Sequence, residues 1–183
     1  MKDFFAELEL PHSAWLDLEE IKSHHHQRIA TAHPDKLGGD VSKATELNEA
    51  RRILESPAAR LKHLVDLLAP SFVPEHKPAP DWELFSSTGE AAREATTLAD
   101  QLAHTTSPIV RASLLAKSKA CEQRISTAKK RVLESMEQLE NRTRTLKTTP
   151  FDASLTWTLA EEWTYLERLT TTLRQAHASL RSA

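Results

Sequence analysis

The chain has 183 residues, 24 basic and 26 acidic, for a formal net charge of -2. That length holds one large or two small domains, and the near-balanced charge lacks the basic excess of a nucleic-acid binder. Three glycines and one cysteine argue against a turn-rich sheet protein, an internal disulfide, a four-thiolate zinc site or an iron–sulfur cluster held by this chain alone.

The charge is uneven along the chain. Residues 1–21 carry one base and six acids, residues 22–62 eight bases and five acids, and residues 111–147 ten bases and four acids. Such patches solvate helices or steer an acidic protein partner. The start, "MKDFFAELEL", is acidic and lacks a continuous apolar core, so it reads as no secretory signal. No apolar run is long enough to span a membrane, and a cytoplasmic location is expected.

The predicted elements are all helical. Phe4, Phe5 and Leu8 share one side of a short helix, and "LPHSAW" interrupts it. Ser13 or Asp17 is suited to cap a second helix that runs to about Ala32. "HPDKLGGD" follows as a loop, because Pro34 disfavours helical backbone behind it and Gly38 and Gly39 permit unusual dihedrals. A third helix is expected near residues 41–55, with Ala44, Leu47, Ala50 and Leu54 at the spacing of a buried face. Ser56 then caps a fourth helix whose first position is Pro57, where the missing N–H costs nothing. "PSFVPEHKPAPD", residues 70–81, holds four prolines and reads as a linker. Long helices follow, over about residues 89–103, from Pro108 toward Leu146, and from an Asp152 cap onward. Their stripes are Val110, Leu114, Cys121, Ile125, Ala128, Val132 and Leu139, then Leu155, Leu159, Leu166, Leu169, Leu173, Ala176 and Leu180. Apolar stripes this long need a mate. A three-helix antiparallel bundle is the preferred arrangement, and an intermolecular coiled coil, as in a homodimer, is the alternative.

The chemistry offered is thin. "HHH" at residues 24–26 points three ways around a helix, about 100° apart, and no His-Glu-x-x-His pattern or thiolate cluster accompanies it. No metal and no cofactor are expected. His33 and Asp35 are able to form an acid–base pair, but no nucleophile elbow or phosphate-cradling glycine loop is present. The chain does not read as an enzyme. The same residues make a docking loop: Pro34 fixes the backbone between two polar side chains, and Asp35 can accept a bidentate contact from a partner arginine.

A short helix, a helix ending in His-Pro-Asp, a loop and an apolar-striped third helix resemble the J domain of Hsp40-type co-chaperones. "LNEARRILESPAARLKHLVDLL", residues 47–68, is similar to the HscB type that serves iron–sulfur cluster assembly, through Leu47, Asn48, Ala50, Leu54, Pro57, Arg60, Leu64 and His63 at an aromatic position. "EEWTYLERLTTTLRQAHASL", residues 161–180, resembles the last helix of that family. The resemblance implies an all-α chain: a J domain of four short helices at 1–69, the proline-rich linker at 70–81, and a client-binding three-helix bundle at 82–183. It also implies an Hsp70 partner whose ATPase is stimulated, with an IscU-like scaffold as client. His33, Pro34, Asp35 and Lys36 would touch the Hsp70, with Lys22, His26 and Arg28 of the second helix facing its acidic surface. Arg28 and His25 stand where the family has leucine and an aromatic, and Ala32 replaces an aromatic beside the tripeptide. The bundle's opening stretch "DWELFSSTGEAARE" lacks the family's acidic-polar pattern. Trp82, Leu84 and Phe85 would supply an apolar client patch there, or would instead close the joint between modules.

Overall fold

The computed structural model describes residues 1–32, 41–75 and 77–182. Among them the fold is all-α, with seven helices: α1 Phe4–Glu7, α2 Leu18–Ala32, α3 Val41–Glu55, α4 Pro57–Leu68, α5 Trp82–His104, α6 Pro108–Arg144 and α7 Ala153–Arg181. Among the described residues the only pairing of extended backbone is an isolated bridge between Thr148 and Phe151. Among the described residues no helix is long and apolar enough to cross a membrane.

Short polar residues set the helix starts, since each accepts from backbone N–H groups that have no partner within the helix. Asp3 Oδ1 accepts from the N–H groups of Phe5 and Ala6 at 3.0 and 3.1 Å. Asp17 Oδ1 accepts from Glu19 N–H at 2.7 Å, so Asp17 rather than Ser13 opens α2. Ser56 caps α4 through Ala59 N–H (3.2 Å), with Pro57 at the first position. Asp152 caps α7 through Leu155 N–H (2.9 Å). The fifth helix begins seven residues before the expected start at 89, because Asp81 Oδ1 takes Leu84 N–H at 3.0 Å.

The described chain forms two compact units, Met1–Pro78 with Leu139–Trp163, and Ala79–Gln138 with Thr164–Ala183. In the first, Phe5, Leu8, Ile21, Leu47, Leu54, Leu61, Leu64 and Leu159 are all but closed to solvent. In the second, Leu84, Leu102, Ile125 and Leu173 are equally enclosed. Each such side chain contributes about 1.5–3 kcal/mol by leaving water. Most of the expected stripes on α6 and α7 are inside, Cys121 included, but Val110 and Leu155 remain 48% and 42% exposed. Both lie within the first turns of their helices.

Arg60 is the unusual member of the first unit's interior. It is 3% exposed. Its Nε donates to Ala14 O at 3.0 Å, and an Nη1 N–H donates to Leu54 O. Leu54 O belongs to the last turn of α3, where carbonyls lack helical partners and a cation is favoured. Burial pulls the Arg60 guanidinium down to about 10, so it stays charged at neutral pH. One side chain therefore ties the segment before α2, the end of α3 and the start of α4. Replacing Arg60 with methionine keeps the volume and strands both carbonyls. A loss of about 3 kcal/mol in unfolding free energy is expected, measured by urea titration; a midpoint equal to wild type would show that the two bonds contribute nothing net.

Candidate functional site

The site is built around α2, and its periodicity sorts the side chains. Ile21 and His25 are buried, with His24, Arg28 and Ile29 half-buried beside them; Lys22, Ser23, His26 and Gln27 face solvent. The three adjacent histidines go to three different places. His24 Nδ1 donates to Leu8 O at 2.9 Å. His25 Nε2 donates to Asn48 Oδ1 at 3.0 Å, which ties α2 to α3. His26 stays outside.

Lys22 and His26 thus stand on the outward side, as the sequence suggests. Arg28 is turned elsewhere: its Nε donates to Glu7 O at 3.2 Å and its Nη1 to Glu9 Oε1 at 2.6 Å. It grips the end of α1, where Glu9 takes a left-handed backbone (φ 56°) that glycine more often fills. Lys43 of α3 also pairs with Glu7, through its carboxylate. The ends of α2 and α3 that flank residues 33–40 belong to helices braced against each other and against α1. His33, Pro34, Asp35 and Lys36 lie outside the described residues.

Sequence reading did not foresee what stands beside α2. An open cleft of about 510 Å³ is lined by Glu19, Lys22, Ser23, His25, His26, Gln27 and Arg51. A second, of about 460 Å³, is lined by Asn48, Arg51, Arg52, Glu55 and Ser56. The Lys22 ammonium is pushed up by its hydrogen bond to Glu19 (2.6 Å), with Glu55 adding to the rise and Arg51 opposing it. Charges on the two helices therefore act on one another. The available signal was the spacing of Asn48, Arg51, Arg52 and Glu55, three and four apart on the flank of the Leu47–Ala50–Leu54 stripe.

The expected client patch on α5 splits. Leu84 is 2% exposed and belongs to the interior, whereas Trp82 and Phe85 are 67% and 50% exposed. Their rings meet edge to face with centroids 5.7 Å apart. Helical spacing explains this: positions 82 and 85 share a side, and 84 lies across from them. The start of α5 is held to its own unit by Glu83 with Arg131 (2.9 Å) and by Tyr165 Oη donating to Asp81 O (2.9 Å).

His63, expected at an aromatic position, does an aromatic residue's work. Its ring lies parallel to Phe5 (centroids 5.8 Å, 8°) and tilted on Phe4 (4.8 Å). It also accepts Phe4 N–H at Nε2 (3.1 Å), which requires the neutral ring. Burial is the main cause that pushes the His63 pKa down, against the pull of Asp3 and Asp66. The arrangement on α2 and α3 offers shape, charge and hydrogen-bond donors for a partner to grip. No protein-family model matches the chain, and no curated protein matches it.

Two outcomes follow from this geometry. Leu84→Ala should cost about 3 kcal/mol by leaving a cavity, and Trp82→Ala about 0.5 kcal/mol or less; equal losses in chemical denaturation would contradict the split. His63 is neutral in the fold with a lowered pKa, so its stabilisation is whole above the unfolded value of 6.5 and is lost as pH falls through 6.5 toward the folded value. Between about pH 7.5 and about pH 5.5, the melting midpoint of wild type should therefore fall more steeply than that of His63→Phe. Parallel declines would contradict it.

Proposed function

We propose that the chain is a cytoplasmic, non-enzymatic co-chaperone of the HscB-like type, which docks on an Hsp70 and stimulates its ATPase. The observation that carries the reading is the His33-Pro34-Asp35 tripeptide between a helix that ends at Ala32 and one that begins at Val41. Two braced helices hold the ends of that short segment, whose sequence sets a proline of fixed φ between two polar side chains. Asp35 would accept from an arginine of the partner's nucleotide-binding domain. On this reading α1–α4 form the J domain, and α5–α7 form the three-helix bundle that carries the client.

An IscU-like scaffold is the proposed client, met by Trp82 and Phe85. Exposed aromatic side chains near the start of a helix supply large contact area with few rotatable bonds. A second reading keeps the Hsp70 role and changes the client. It is favoured by the stretch at 81–94, where Trp82 and Phe85 stand in place of the family's acidic-polar pattern.

Steady-state ATP turnover of the Hsp70 proteins from the source genome, with and without the purified chain, tests the first part. Wild type should raise turnover and His33→Gln should abolish the rise; equal turnover with both would contradict the reading. Pull-down with the scaffold separates the clients: Trp82→Ala with Phe85→Ala should lose binding, and a wild-type chain that stimulates the ATPase yet binds no scaffold would favour the second reading.

A further inference from the structure

We infer that the face offered to the partner ATPase is a groove shared by two helices, in which Arg51 and Arg52 of α3 contact the partner beside Lys22 and His26 of α2; this rests on the co-chaperone reading above. The two open clefts described for this unit have Arg51 in common, so their linings are contiguous. Their floor is fixed, because His25 is 6% exposed and bonded to Asn48 at 3.0 Å. The linings carry three permanent cations, Lys22, Arg51 and Arg52, against two carboxylates, Glu19 and Glu55. Within the linings that is an excess of one positive charge, which favours an acidic surface over a basic one.

The placement of Arg28 makes α3 decisive. Lys22 and Arg28 are the only Lys or Arg residues of α2, and Arg28 is spent on Glu7 and Glu9. An acidic partner that meets α2 from outside therefore finds most of the fixed positive charge on the neighbouring helix.

The cations already have carboxylates nearby, all within their own helices. Lys22 pairs with Glu19 at 2.6 Å and Arg51 with Glu55 at 2.7 Å, and Glu49 stands 4.0 Å from Arg52. Exposed pairs three or four residues apart are weak and exchange readily for a better-placed carboxylate. Arg51 uses its Nε on Glu55, and a guanidinium has five N–H donors, more than one carboxylate fills. Arg52 is the more exposed of the two, with 71% of its side chain in solvent. A partner surface with two or more carboxylates set across the groove fits this layout.

ATP turnover of the source genome's Hsp70 proteins, titrated with full-length wild type, Asp35→Asn, Arg51→Gln with Arg52→Gln, and Arg51→Lys with Arg52→Lys, tests the inference. The double glutamine variant should need about tenfold more protein for half-maximal stimulation. The double lysine variant should recover most of that loss, and added salt should narrow the difference. Titrations of wild type and the glutamine variant that superimpose, with Asp35→Asn silent, would overturn the inference and leave the co-chaperone reading standing. Wild type silent on every Hsp70 would overturn both. Circular dichroism should show the glutamine variant melting with wild type; if it melts early, Arg52→Glu alone carries the same expectation.

Discussion

The packing of α2 against α3 is the constraint on which the functional account depends. Ile21 supplies the apolar contact and His25 the polar one, with its Nε2–H on Asn48 Oδ1. A buried imidazole that must find its acceptor fixes one register between the two helices, where an aromatic ring alone would tolerate small slips. Residues 33–40 run from the last residue of α2 to the first of α3. Whatever they present is presented from ends held at a set distance. Arg28 on Glu7 and Glu9, His24 on Leu8 O and Lys43 on Glu7 brace the same pair against α1.

A second tie sets the rest of the N-terminal unit. The Arg60 guanidinium meets Leu54 O and Ala14 O. Close by, Arg144 lies over the Trp15 ring at 4.3 Å, and Trp15 Nε1 donates to Glu140 at 3.3 Å. Trp163 Nε1 donates to Thr143 Oγ1 at 3.1 Å, joining α6 to α7 inside the same unit. The Arg60 and Trp163 bonds are buried and satisfy polar atoms inside the unit, whereas Glu140 and Arg144 stand partly in solvent.

Much of this was legible in the residues themselves. Caps at Asp17, Ser56 and Asp152 are local chemistry, and the long stripes from Leu114 to Leu139 and from Leu159 to Leu180 are local periodicity. The reading of His63 as an aromatic stand-in comes from the resemblance to the HscB type, not from periodicity. The start of α5 was obscured because "SSTG" is a run of weak helix formers, and the Asp81 cap and the packing of Leu84 override it. Arg28 and Leu84 were misjudged in exposure because that depends on tertiary neighbours: Arg28 has α1 beside it, and Leu84 faces the interior of its unit. Arg51 and Arg52 carry no motif at all. Their interest arises only when the side of α3 is seen next to the side of α2.

The groove and the bracing beneath it support one proposed account: a braced pair of helices whose outer surface an acidic ATPase grips. Backbone hydrogen exchange of the native chain, alone and with an Hsp70 of the source genome in the presence of ATP, tests that proposal most directly. The account predicts slowed exchange in residues 19–40 and 48–56, with α5 to α7 unchanged. Protection confined to α5–α7, or none anywhere while the complex is formed, would contradict it.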